Sequence, residues 1–197
     1  MKNTKDKAIA NFGEYSENIY DFAKANQWNK ADCRLNLLRK SSQALNSTGS
    51  LASKISDRLN ALTQSVGARN KLASMQDANE LTAYGAKLKD PLEPLVPTEV
   101  ILLDYFGRKL EVSALAGDLG QLKIDTGKTR KTWNAVRDDL VQSGGQKEAQ
   151  KFDRLLNRLD VAQSPNQYGR NALVLLEEVD NVEKVFENQL TDGEEAD

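Results

Sequence analysis

From Ile101 to Leu140 the apolar positions recur in alternating steps of four and three, and no other feature of the sequence narrows the choice of fold as much. The positions are filled by Ile101, Tyr105, Arg108, Val112, Leu115, Leu119, Leu122, Thr126, Thr129, Trp133, Val136 and Leu140. A mean step of 3.5 residues places all of them on one face of an α-helix, and a mostly apolar stripe on a helix must be covered by another helix. At 1.5 Å of rise per residue the stretch predicts a rod roughly 60 Å long. The predicted class is therefore all-α.

The same period runs more weakly elsewhere. Phe12, Tyr15, Ile19 and Phe22, then Trp28, Ala31, Leu35, Leu38, Ser42 and Leu45, predict a first helix with a phase slip near Asn26. Leu51, Ile55, Leu59, Leu62 and Val66, then Leu72, Met75, Leu81, Tyr84 and Leu88, predict a second with a slip at Gly67. Phe152, Leu156 and Leu159 open a fourth, which Ser164-Pro165 must break because proline lacks the amide hydrogen and clashes with the preceding turn. It resumes with Ala172, Leu175, Val179, Val182 and Phe186. Short polar loops at 46–50 and 143–145 join neighbours into antiparallel hairpins.

The expected architecture is an elongated up-down-up-down four-helix bundle of two antiparallel helical hairpins, with helix four broken near Pro165. One bundle domain covers 1–190: hairpin one over 8–89, a Pro-rich connector over 90–97 and hairpin two over 98–190. Residues 191–197 have no apolar content and read as a disordered acidic tail. Gln27-Trp28-Asn29 followed by Asp57-Arg58-Leu59 is echoed by Thr132-Trp133-Asn134 followed by Asp153-Arg154-Leu155, a hint of internal duplication.

Composition excludes much chemistry. The chain has no histidine, which removes Ser-His-Asp and Cys-His nucleophile systems, His-ligated haem, the usual zinc sites and di-iron centres of the ferritin type. Cys33 is the only cysteine, so no internal disulfide forms, and its place between Ala31 and Leu35 reads as a small semi-buried side chain. With 27 Lys and Arg against 29 Asp and Glu, the net charge of -2 removes the case for a general nucleic-acid binder. No stretch reaches the ~20 apolar residues that span a bilayer. No cofactor and no metal site is indicated.

One position stands out. Arg108 occupies a seam position, where a guanidinium must be met by partners. Asp104 lies four residues before it and Glu111 three after, the spacings that set side chains together on a helix. The cluster reads either as an ion network that sets helix register or as a pocket where Arg108 holds a small anion, with Tyr84 and Tyr105 completing it. Basic residues Lys147, Lys151, Arg154 and Arg158, with Lys128, Arg130, Lys131 and Arg137, read as a solvated charged face. The acidic Glu177, Glu178, Asp180, Glu183 and Glu187 lack the shaped loop that a hard cation needs. Gly127-Lys128-Thr129 resembles a P-loop ending, but Leu122 stands where the first glycine belongs. Trp28 and Trp133 are expected as core anchors.

Ala78-Asn-Glu-Leu-Thr82, the prolines of the connector, Leu103-Asp-Tyr-Phe-Gly-Arg108, Gly117-Asp118-Leu119 and Trp133 together resemble uncharacterised secreted four-helix-bundle proteins and lipoproteins of bacteria, over about a third of the chain. That resemblance implies a periplasmic or cell-envelope location for a processed chain, the alternative being cytoplasmic, and a binding or structural role. The sequence lacks the lipid-attachment cysteine near its start. The function expected is non-enzymatic binding or scaffolding of a protein partner, the alternative being an anion carrier or sensor at Arg108. Homo-oligomers are compatible with either.

Overall fold

A computed structural model of the chain describes residues 2–45, 49–89 and 96–194, with side chains over 6–45, 49–89 and 96–188. The described residues form eight α-helices and no strand: α1 (Lys2–Lys24), α2 (Trp28–Ala44), α3 (Gly49–Gly67), α4 (Lys71–Lys89), α5 (Thr98–Ala116), α6 (Leu119–Gln142), α7 (Gln146–Asp160) and α8 (Pro165–Glu194). They fall into two compact units, Met1–Leu92 and Glu93–Asp197. In the first unit α1 packs on α2, α2 on α3, α3 on α4 and α4 back on α1, closing a ring of four. In the second, α5 to α8 close a ring in the same order, and α6 also reaches α8 across it.

The all-α expectation holds, but the four long helices are eight shorter ones. Each break has a local cause. Asn26 at φ 55° and Arg69 at φ 54° take the left-handed conformation that ends a helix. Arginine is a costly occupant of that region. Arg69 is held there by Asp32 at 2.8 Å and by the Trp28 ring, 5.7 Å from its guanidinium carbon. The phase slips in the sequence lie at these two turns. The break at Pro165 is also where the proline predicts it.

The largest correction concerns the 60 Å rod. It is cut at Gly117, which sits at φ 74°; its amide donates to the Ala114 carbonyl at 3.1 Å and that of Asp118 to the Ser113 carbonyl at 3.0 Å. Asp118 then starts α6, its carboxylate accepting from the Gln121 amide at 2.9 Å. The chain reverses, so α5 and α6 lie side by side. The heptad stripe splits accordingly. Leu122, Thr126, Thr129, Trp133, Val136 and Leu140 are buried, whereas Leu115 and Leu119 are 58% and 39% exposed at the turn.

Inside the second unit Leu103, Leu110, Leu122, Trp133, Phe152 and Leu175 belong to one apolar core. Trp133 is fully buried and stacks on Phe152 with ring centroids 4.2 Å apart. In the first unit Phe12, Ile19, Leu38, Leu62, Met75 and Leu81 are buried. Trp28 is only half-buried, because it opens α2 at the turn instead of facing the core. Cys33 is exposed, not semi-buried: Ala31, Leu35 and Leu38 define the inner face of α2, and position 33 points away from it.

Glycine sets the spacing of the first and last helices in the second ring and leaves ordinary van der Waals room in the first. A Cβ on Gly85 of α4 would meet the Gly13 backbone of α1 at 3.5 Å. One on Gly107 of α5 would meet Leu176 at 2.7 Å and Leu175 at 2.9 Å on α8. The expected connector lies outside the described residues from 90 to 95. Of the expected acidic tail, α8 takes in residues up to Glu194, and 195–197 lie outside the described residues.

Candidate functional site

The residues singled out around Arg108 divide between the units. Asp104, Tyr105, Arg108 and Glu111 all lie on α5, whereas Tyr84 lies on α4 of the first unit, where the Lys87 ammonium sits 6.0 Å from its ring centre. Arg108 Nε meets Asp104 at 3.1 Å, and the two side chains are 12% and 19% exposed. Glu111 is buried. Lys109, beside them, lies over the Tyr105 ring at 5.6 Å and reaches Asp125 of α6 at 3.8 Å. Asp125 is fully buried and accepts from Gln121 Nε2 at 2.8 Å. Arg108, Asp104, Glu111, Lys109 and Asp125 each make further interactions. Of these groups, the Lys109–Asp125 pair joins α5 to α6. The Asp125 carboxylate is the member that sequence reasoning missed, because it falls between seam positions Leu122 and Thr126.

Three basic residues of the α6–α7 face are tied to carboxylates. Arg137 grips Asp153 through Nε at 3.1 Å and Nη2 at 2.9 Å, and Trp133 Nε1 donates to the same carboxylate at 2.8 Å. Partial burial pushes the Asp153 carboxyl up. The hydrogen bonds from Arg137 and Trp133 and the arginine charges outweigh it and hold the group below its usual range. Arg130 pairs with Asp160, and Lys151 with Glu148 at 3.9 Å and Glu178 at 3.4 Å. In the first unit the buried Asp77 carboxylate of α4 takes Arg58 of α3 at 2.7 Å and the Ser65 hydroxyl at 3.0 Å. The hydrogen bond to Asp77 raises the Arg58 pKa further.

Charge is segregated between the units, which the whole-chain value conceals. Residues 1–92 carry 14 Lys and Arg against 9 Asp and Glu, a net +5, and residues 93–197 carry 13 against 20, a net -7. On the positive unit the outer seam of α1 and α2 alternates cations with rings and aliphatic groups. Lys30 lies 5.5 Å from the Phe22 ring centre and the Arg34 guanidinium carbon 5.4 Å from that of Tyr15. Farther along the seam a hollow of about 280 Å³ is bounded by Lys7 and Lys40, with Asn11, Tyr15, Leu37 and Ala44 in its walls. The Ser41 hydroxyl donates to the Ala8 carbonyl at 3.3 Å and fixes the two helices at that level. On the other flank of α2 a second hollow, about 540 Å³, opens toward α3 beside Arg39, Ile55 and Leu59. Compared with protein-family models, curated proteins and solved structures, the chain finds no match.

Proposed function

We propose that the chain is a non-enzymatic binding protein whose first unit holds an acidic protein segment along the α1–α2 seam. The observation that supports this reading is a hollow with Lys7 and Lys40 at its edge and Leu37 and Ala44 in its wall, in a unit whose net charge is +5. A carboxylate between two ammonium groups gains charge-assisted hydrogen bonds, and an adjacent aliphatic side chain can cover Leu37, which is 36% exposed. A long polyanion is a poorer occupant, since the same chain carries a net -7 on its other unit. The test is fluorescence anisotropy with a labelled Glu-rich, Leu-bearing helical peptide. Binding is expected to weaken with salt and by roughly tenfold or more in the Lys7→Glu/Lys40→Glu variant. Equal binding by that variant, or none by the wild type at low salt, overturns the reading.

The alternative is a small-anion carrier at Arg108, whose guanidinium is largely withdrawn from water, where a charge-assisted hydrogen bond to an anion is strongest. An anion that raises the Tm of the wild type but not of a folded Arg108→Met variant would establish it. The resemblance to secreted bundle proteins and lipoproteins of bacteria adds a cell-envelope location to the proposal. Recovery of the chain only in the cytosolic fraction of its own cells would remove that element.

A further inference from the structure

Among the described residues seven large hydrophobic side chains are exposed, and six of them lie in the second unit, four at or within two helical turns of one end and two, Leu173 and Val174, nearer mid-height. Leu115 and Leu119 flank the α5–α6 turn, Val161 lies in the α7–α8 turn, and Ile124, Leu173 and Val174 follow within three helical turns. The two interhelix turns share this end. Gly107 faces Leu175 while Gly169 faces Ala114, so α5 and α8 run antiparallel, with α5 ending where α8 begins. Ile124 stands on the outer face of α6, whose Leu122, Asp125 and Thr126 are turned inward. Leu173 and Val174 stand on the outer face of α8, between the inward Ala172 and Leu175. Because α6 and α8 are diagonal members of the ring, the aliphatic groups encircle the tip and do not form a single flat face.

Exposed cations lie among them: Lys123 and Lys128 on α6, Arg158 on α7 and Arg170 on α8. The carboxylates at this end are engaged, Asp118 in capping α6 and Asp160 in the pair with Arg130. Other exposed acids of the unit lie farther from the turns, at Asp138 and Asp139 on α6 and at Glu177, Asp180 and Glu187 on α8. The end that displays aliphatic groups is thus the cationic end of an acidic unit.

We infer that this tip docks on an anionic lipid surface. A protein partner would cover one side of the tip, whereas the headgroup region of a bilayer surrounds whatever enters it. From Leu119 to Ile124 the helix advances about 7.5 Å, which matches the roughly 5–10 Å over which interfacial segments bury their apolar groups. Lys123, Lys128, Arg158 and Arg170 are interleaved with these aliphatic groups along the helices, where each basic residue adds attraction to an anionic leaflet. Among the described residues no helix is long and apolar enough to cross a membrane, so the association is peripheral. The inference concerns the second unit and stands apart from the acidic-segment site of the first.

The test is sedimentation of the full chain with vesicles of phosphatidylcholine alone or mixed with phosphatidylglycerol, with helicity of every variant checked by circular dichroism. The wild type is expected to sediment with the anionic vesicles and not with the neutral ones. Lys123→Glu/Arg170→Glu, which removes two positive charges and adds two negative ones, should lower the partition coefficient by at least about 25-fold. Val161→Asn/Leu173→Asn, which changes exposed positions only, should abolish binding. Failure to sediment with anionic vesicles, or indifference to both double variants, overturns the inference. So does a concentration-dependent dimer that Val161→Asn/Leu173→Asn dissolves without any vesicle binding, which would assign the tip to a second copy of the chain.

Discussion

Asp153 ties α7 to α6: its carboxylate accepts from the indole of Trp133 and the guanidinium of Arg137, while its neighbour Phe152 stacks on that indole. Its carboxyl is more acidic in the folded than in the unfolded chain. A group depressed in this way contributes stability that is complete above the unfolded carboxyl value near pH 4 and lost as pH falls through the folded value. Asp153→Asn should therefore lower the Tm at neutral pH, and the gap to the wild type should close as the pH is taken below about 4. Thermal melts across that range decide the matter, and a gap independent of pH would show that the carboxylate charge contributes nothing. The site is about one-third exposed, so salt should narrow the gap as well. Trp133 was legible as a core anchor from its seam position. Its partner was not, because no pattern along one helix specifies the residue that faces it from the next.

At the scale of the helix, two glycines make opposite predictions. Gly127 lies exposed in the interior of α6 with open space where a Cβ would stand, so Gly127→Ala should stabilise by about 0.5–1 kcal/mol through helix propensity alone. Gly107 is buried on α5 against Leu175 and Leu176, and Gly107→Val must push both aside. A cost of about 1–3 kcal/mol is expected from overpacking, read as a fall in denaturant midpoint at unchanged slope. The helices themselves were legible because their apolar period is strong. The reversal at Gly117 was not: Leu115 and Leu119 flank it at a step of four, so the stripe runs on in register through a turn. The Gly-Asp pair that caps α5 and starts α6 was the available signal, and periodicity masked it. The same masking hid the candidate tip, because Leu115 and Leu119 read as buried seam residues and prove to be exposed. The positive seam of the first unit was hidden differently. Opposite charges on the two halves cancel to -2, and only a count taken on each half separately reveals them.

At the scale of the molecule, the two units repeat one plan. Phe-Gly recurs on the first helix of each (Phe12-Gly13, Phe106-Gly107), Asp-Arg-Leu on the third (Asp57–Leu59, Asp153–Leu155) and Tyr-Gly on the fourth (Tyr84-Gly85, Tyr168-Gly169). Neither the tryptophans nor the Tyr-Gly pairs keep one place along their helices: Tyr84 is near the end of α4 and Tyr168 near the start of α8, while Trp28 begins α2 and Trp133 lies in the middle of α6, which accounts for the mismatched spacing of the sequence echo. Repetition of fold with opposite net charge lets one chain address two partners. If the first unit takes an acidic segment and the second an anionic lipid surface, the protein is an adaptor, and labelled acidic peptide should sediment with phosphatidylglycerol-containing vesicles only when the protein is present. Lys7→Glu/Lys40→Glu should release the peptide and leave the protein on the vesicles. Lys123→Glu/Arg170→Glu should leave peptide and protein together in the supernatant. Because the two surfaces use different residues on different units, neither pair should alter the other's affinity by more than about twofold, the scatter expected of independent sites. Competition between peptide and vesicle for the wild-type protein would show instead that both ligands draw on one cationic surface, and the adaptor reading would fall with it.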